Sequence, residues 1–465
     1  MRIRCGSPSQ ETAVTLVLAR SAAARAADLP GVVGADLQVP LVTGGSIAYA
    51  NLDLAASAPA LQSVAAHVAE LLPYYASVHR GAGYASQVST ALLESARVTV
   101  GEFVGARSDD VVVFTRNTTD ALNLLAGCVP GPVLCLDVEH HANQLPWQVG
   151  AHRVLRVAET VEQTLADLEA ALASAPVALL AVTGASNVTG ETLPLERLVD
   201  IAHRAGARVV VDAAQLAPHR RVDLAATGID YVALSGHKLY APYGAGAIVG
   251  RRDWLDEGTP YLAGGGAVRE VRIDRTVWAA APHRHEGGTP NVVGAAALAQ
   301  ACRTLAPLLD GAAHAHEKAL SDRLAAGLAT VPGLRTLRIW PDSTDRVAVH
   351  SFTLPDRPAG LVAAYLSAEH GIGVRDGRFC AHPLLLKLCG ESGEALRASI
   401  GISTTAEHVD RLVAALQQLT TRGARWTYGV VDGRWVPTPD PREHDPLGVI
   451  GTLVLGTGAS ACSSE

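Results

Sequence analysis

Ser235-Gly236-His237-Lys238 follows directly on the apolar run Tyr231–Leu234, so a lysine stands at the end of what reads as a buried strand. Desolvating its ammonium costs several kcal/mol unless something compensates. An imine with an aldehyde cofactor removes that cost, because the amine is then no longer a free cation. The plainer reading is a lysine whose stem is covered and whose head reaches water. A second strand end decides between them. Val209–Val211 runs into Asp212-Ala213-Ala214-Gln215, which puts a carboxylate at the end of another buried run. A carboxylate there can pair with the ring nitrogen of pyridoxal 5′-phosphate (PLP) and keep the ring an electron sink, with Gln215 near the ring oxygen. The alternative, an Asp capping the helix that follows, explains Asp212 but not Lys238.

Two more strand ends carry polar residues. Thr115-Arg116-Asn117-Thr118-Thr119-Asp120 follows Val111–Phe114 and opens a helix at Ala121–Leu125. Backbone N–H groups at a helix N-terminus, with threonine hydroxyls beside them, suit a phosphate, although any helix start offers something similar. Glu139-His140-His141-Ala142-Asn143 follows Val133–Leu136, and an imidazole at His140 could stack on a pyridine ring and serve in proton transfer. Adjacent histidines in an extended segment point to opposite faces and no carboxylate-rich partner segment accompanies them, so no metal is expected.

These residues require strands that deliver them to one edge. Val111–Phe114, Val133–Leu136, Val177–Val182, Val209–Val211, Tyr231–Leu234 and Ala247–Val249 read as buried strands. Leu195, Leu198, Val199 and Ala202 recur at helical spacing behind Pro194. The alternation predicts an α/β fold, a mainly parallel central sheet flanked by helices, whose ligands bind at the carboxyl ends of the strands. Past residue 292 the chain reads as helical to about Val331, then strand-like at Val347–Phe352 and Gly371–Arg375, then helical at Glu407–Leu419. The expected division is a large cofactor-binding domain at 60–310, a smaller α+β domain from 1–59 and 311–430, and a tail at 431–465. From Trp435 onward four prolines are expected to break any regular element.

With 465 residues, 48% of them hydrophobic and 18% charged, the chain is long enough for two domains. A net charge of −7 without a Lys/Arg-dense stretch excludes a nucleic-acid binder. No apolar run suggests a membrane span, and Arg20 and Arg25 interrupt the alanine-rich residues 13–28, so no secretory segment is expected. The seven cysteines form no CxxC pair and no zinc spacing; Cys128, Cys135 and Cys302 read as core residues, and a cytoplasmic location is expected.

The chain resembles the fold-type I, class V aminotransferase group, and within it the group II cysteine desulfurases and selenocysteine lyases. The likeness runs from about Leu52 to Leu419 and rests on Leu52-Asp53-Leu54-Ala55-Ala56-Ser57, Val78-His79-Arg80-Gly81, Asn117-Thr118-Thr119-Asp120, Glu139-His140-His141-Ala142-Asn143, Ser186-Asn187-Val188, Asp212-Ala213-Ala214-Gln215, Ser235-Gly236-His237-Lys238, Gly264-Gly265-Gly266, Gly287-Gly288-Thr289-Pro290-Asn291 and Arg397-Ala398-Ser399. The resemblance implies a PLP enzyme in which Lys238 holds the cofactor and moves the Cα proton, Asp212 and Gln215 face the ring, and His140 stacks on it. It implies that Thr118, Thr119, Ser235 and His237 hold the phosphate, with Thr289 reaching it from the partner subunit of a homodimer. Arg397 would clamp the carboxylate of a small amino-acid substrate. Asn187, Arg375 and His79 would also touch the substrate.

In desulfurases of this kind a cysteine at the place of Cys380 takes sulfur from the bound cysteine, leaving alanine and an enzyme persulfide for a sulfur-acceptor protein. Arg375, Arg378 and His382 are the cations that would favour its thiolate. The chain departs from the family at Phe379, where histidine is usual, at Ser403-Thr404-Thr405, at Leu54 and at Asp120. Those departures keep a second expectation open: a PLP-dependent C–S lyase, epimerase or aminotransferase acting on another amino acid.

Overall fold

The computed structural model describes residues 29–354 and 356–448. Residues 13–28, Cys5, Cys462 and residues 449–465 of the expected C-terminal tail lie outside the described residues. Seven strands form the central sheet: β1 (Asp110–Thr115), β2 (Val133–Leu136), β3 (His152–Leu155), β4 (Leu179–Thr183), β5 (Arg208–Asp212), β6 (Tyr231–Ser235) and β7 (Gly246–Arg251). Their order is β1-β7-β6-β5-β4-β2-β3, and only β7 runs against its neighbours.

The inner strands are apolar along most of their length because both faces are covered. Val209 and Val211 of β5 belong to one core cluster and Val210 to another, as the two-residue side-chain period requires. Val232 and Leu234 of β6 fall in the first cluster and Tyr231 and Ala233 in the second. Each fully buried valine contributes about 1.5–3 kcal/mol through the area it removes from water.

Six of the seven strands are the runs expected from the sequence. β3, at one edge of the sheet, has alternating intermediate and exposed residues and no continuous apolar run, which is why its sequence carries no strand signal. The helical stretch after residue 292 is two helices, α1 (Val292–Leu305) and one over Ala312–Leu328, separated at Pro307.

A second sheet orders β8 (Arg335–Thr336), β9 (Val349–Thr353), β11 (Ala395–Ser399) and β10 (Arg375–Gly377), all antiparallel. The expected strand Gly371–Arg375 is divided: Ile372–Gly373 pairs in parallel with Ala50–Asn51, and the chain then turns into β10. The N-terminal segment is thereby tied to the second sheet, and Ser399 donates from Oγ to the Leu52 carbonyl at 3.0 Å.

The expectation that no regular element follows Trp435 is incorrect. β12 (Tyr428–Val431) and β13 (Arg434–Pro437) form an antiparallel hairpin containing Trp435 and Val436. Pro437 is tolerated because it closes the strand, where a missing N–H costs little. The hairpin is anchored by buried Glu369, which accepts from the backbone N–H groups of Arg425 and Trp426 at 3.0 Å each and from the Tyr428 hydroxyl at 3.2 Å.

Candidate active site

Five parallel strands end at one cavity of about 250 Å3. Thr118 and Thr119 follow β1, His140 follows β2, Thr183 ends β4 with Asn187 just beyond, Asp212 ends β5, and Ser235 ends β6 with His237 and Lys238 in the turn after it. Arg375 of β10, Arg397 of β11 and the Phe379-Cys380 segment close the opposite wall. The sheet register places Thr183 beside Asp212, and Asp212 beside Ala233 on the strand that leads to Lys238.

The N-terminus of the helix Thr118–Ala126 is capped by Asn117, whose Oδ1 accepts from the Asp120 N–H at 3.0 Å. The Thr118 N–H donates to Ser235 Oγ at 2.9 Å, and that hydroxyl donates back to Thr118 Oγ1 at 2.9 Å. This contact needs β7 to approach closely: a Cβ on Gly246 would stand 2.5 Å from the Leu234 carbonyl oxygen and 2.6 Å from Asn117 Cα. Asp120, one of the departures, accepts from the Arg116 N–H at 2.9 Å and the Tyr261 hydroxyl at 2.5 Å, so it braces the same helix start.

Burial sets the protonation states. It pushes the Lys238 amine down to about 8, against the attraction of Asp212. It raises the Asp212 carboxyl, which accepts from the Ala214 N–H at 3.0 Å. The His140 ring is driven to about 3 by burial and by the charges of Lys238, His141 and Arg397, so it is neutral at any working pH. His140 Nδ1 accepts from the Ala142 N–H at 3.0 Å. Gln215 donates from Nε2 to the Ala55 carbonyl at 2.7 Å, which orients its amide and leaves a second N–H for a ligand.

The donor set fits PLP: a depressed lysine amine, a buried carboxylate, a neutral imidazole and a hydroxyl-lined helix N-terminus converge on one cavity.

Arg397 is buried and donates from Nη1 to the Asn187 carbonyl at 2.9 Å and from Nη2 to Asp53 Oδ1 at 3.2 Å. Its Nε has no hydrogen-bond partner among the described residues. Burial lowers the guanidinium from its usual range, with Asp53 opposing, and burial raises Asp53. Phe379 occupies the family's histidine place and lies under this group, its ring centre 5.2 Å from Arg397 Cζ.

Phe379 and Cys380 both have left-handed backbones, φ 50° and 53°. Each such non-glycine residue costs about 1–3 kcal/mol and persists only where its surroundings hold it. Here the Asn187 side chain donates to the Phe379 carbonyl at 2.8 Å, and the His141 N–H donates to the Cys380 carbonyl at 2.8 Å. The second histidine of the pair thus faces the cysteine loop, where its ring meets His382 edge-on at 4.5 Å.

Two expected site residues stand outside the cavity of this chain. His79 is bound to Glu94 at 2.9 Å and meets His283 edge-on, and Thr289 is exposed in the loop before α1. Two residues of the site were not singled out from the sequence. Asp53 lies in a matched segment but meets Arg397 only through folding, and Glu139 sits buried beneath the site, accepting from Asn143 Nδ2 at 2.7 Å and the Thr183 N–H at 3.0 Å. Among the described residues no group of three or more His, Cys, Asp or Glu side chains could hold a metal ion, and no helix is long and apolar enough to cross a membrane. Cys128, Cys135 and Cys302 are buried, and burial raises the first two thiols to about 11 and about 12.

A strand-end lysine, a neighbouring strand-end carboxylate and a phosphate-ready helix start define a fold-type I enzyme. The chain belongs to the class V aminotransferase family: Aminotransferase class-V matches residues 50–412. It is 37% identical over 393 residues to a cysteine desulfurase of Dickeya dadantii, covering 81% of this chain and 93% of that protein. Its fold is similar to the apo cysteine desulfurase of Thermococcus onnurineus NA1, with a TM-score of 0.73 and 31% identity over 80% of this chain and 94% of that one. The cysteine desulfurase CsdA of Escherichia coli matches with a TM-score of 0.70 and 33% identity over the same shares, 80% and 94%.

Proposed function

We propose that this chain is a PLP-dependent cysteine desulfurase, which converts L-cysteine or L-selenocysteine to L-alanine and carries sulfur as a persulfide on Cys380. The observation that carries this reading is Cys380 in the wall of the cavity that also holds Lys238, Asp212 and Arg397. The relatives named cysteine desulfurase support it.

PLP, when bound, supplies an electron sink for charge developing at the substrate Cα. Arg397 binds the substrate carboxylate through a guanidinium already oriented by Asn187 and Asp53. Lys238 Nζ holds or releases a proton near neutrality because burial has brought its amine to about 8. Asp212 would pair with the ring nitrogen, and His140 would stack on the ring uncharged. The Cys380 thiolate attacks the substrate sulfur. An S–S bond forms as the C–S bond breaks, and the electron pair left on carbon takes a proton to give the methyl group of alanine.

Thr289, exposed and outside its own chain's cavity, reaches the phosphate of the other subunit in a homodimer. The antiparallel hairpin of Val268–Val271 and Thr276–Trp278, with Val271 and Ile273 exposed, supports such an interface. A cytoplasmic location and a sulfur acceptor complete the reading. Phe379, an apolar ring where the resembled family usually has histidine, favours the alternative of a C–S lyase, epimerase or aminotransferase acting on another amino acid.

A panel of cysteine, selenocysteine, cystine, cysteine sulfinate and thioether amino acids separates the readings. Alanine from cysteine, with sulfur on the protein, is expected; pyruvate would show β-elimination and contradict it.

A further inference from the structure

Cys380 lines two cavities. Besides the site above, a second cavity of about 630 Å3 opens on the other side of the Arg375, Phe379 and Cys380 wall, and those three residues line both. Its far side is the hairpin β12–β13, which contributes Arg434 and Trp435 and lies beyond the family match at 50–412. The hairpin is a fixed wall, since Glu369 anchors its approach through four donors and Trp435 rests on the helix Ala359–His370, where Gly360 leaves room for the indole. Arg375, Arg378 and Arg434 line this space against Asp376 and Glu394.

We infer that the second cavity is the acceptor site, and that it takes a low-molecular-weight thiol bearing a carboxylate. The volume lies in the range of about 300–1,000 Å3 that suits small molecules. The guanidiniums suit a carboxylate, and the shared wall brings the ligand's thiol to Cys380 from the side opposite the amino-acid substrate. This rests on the reading of Cys380 as the sulfur carrier. The acceptor thiolate attacks the outer sulfur of the Cys380 persulfide. A new S–S bond forms on the acceptor, the old one breaks, and its electron pair leaves with Cys380 Sγ, which takes the proton lost by the acceptor; nothing is oxidised or reduced overall.

The test uses PLP-loaded full-length enzyme with cysteine. Alanine is measured first without added thiol, as a single burst, and then at steady state with 3-mercaptopropionate or with neutral 2-mercaptoethanol. The expected result is saturation with 3-mercaptopropionate at a KM about tenfold below that for 2-mercaptoethanol. Arg434→Ala, at an exposed position, should remove that preference and Arg434→Lys should restore part of it. A burst followed by equal, unsaturable response to both thiols would overturn the acceptor site while sparing the desulfurase reading; that is also the outcome if the cavity serves a protein acceptor. An unchanged preference in Arg434→Ala would overturn it as well. Absence of the burst would overturn the desulfurase reading, and this inference with it.

Discussion

The Asn187 side-chain amide donates to the Phe379 carbonyl at 2.8 Å, one residue before Cys380, while the Asn187 carbonyl accepts from Arg397 at 2.9 Å. One residue therefore connects Arg397, the proposed substrate clamp, to the cysteine loop. Asn187→Ala leaves the Phe379 carbonyl without its donor and two left-handed residues less well held. An unmet buried acceptor costs about 1–3 kcal/mol, so single-turnover alanine formation should slow by about tenfold or more. Rapid-quench alanine assays check this, and a wild-type rate would contradict it.

Lys238 should react with PLP according to its depressed amine. With the group near 8 rather than 10.5, the neutral fraction rises through pH 7–9 and levels above that. The rate at which apoenzyme develops its cofactor absorbance should follow the same curve. A rate still climbing steeply at pH 10 would show an unperturbed lysine.

Glu139 is raised to about 8 by burial, against hydrogen bonds from Asn143 and Thr183. Because its folded value lies above the unfolded 4.5, the folded state holds the extra proton. Its contribution to stability is complete below 4.5 and is lost as pH rises through 8. The Tm of the wild type should fall relative to that of Glu139→Gln between pH 5 and 8, as thermal melts across that range will show; parallel curves would contradict the shift.

Gly246→Ala forces a Cβ against the Leu234 carbonyl and Asn117 Cα, both backbone atoms. Overpacking of this kind costs about 1–3 kcal/mol, and here it displaces the helix start proposed to hold the phosphate. Weaker PLP binding in an absorbance titration is expected. Gly150→Ala, with nothing within 4 Å, is the control and should bind as the wild type does.

Much of the site was legible because its residues end strands that are apolar along their whole length. Asp212 and Ser235 each close a run of buried residues, so the polar residue at the boundary stands out. β3 was not legible, since its four residues alternate in exposure and carry no such run. Asp53 and Arg397 lie 344 positions apart, and no local pattern announces that they share an ion pair. The left-handed pair Phe379-Cys380 has no glycine to mark it; its conformation is imposed by Asn187 and His141. The hairpin over the second cavity was hidden by prolines that end it rather than prevent it.

Cys380→Ser tests the central claim most directly. The substitution keeps the size and the loop but removes the sulfur nucleophile. With PLP bound and its absorbance intact, alanine formation from L-cysteine should fall by at least about a hundredfold, and no protein-bound persulfide should be trapped by alkylation. Unchanged alanine formation in that variant would contradict the assignment of Cys380 as the sulfur carrier.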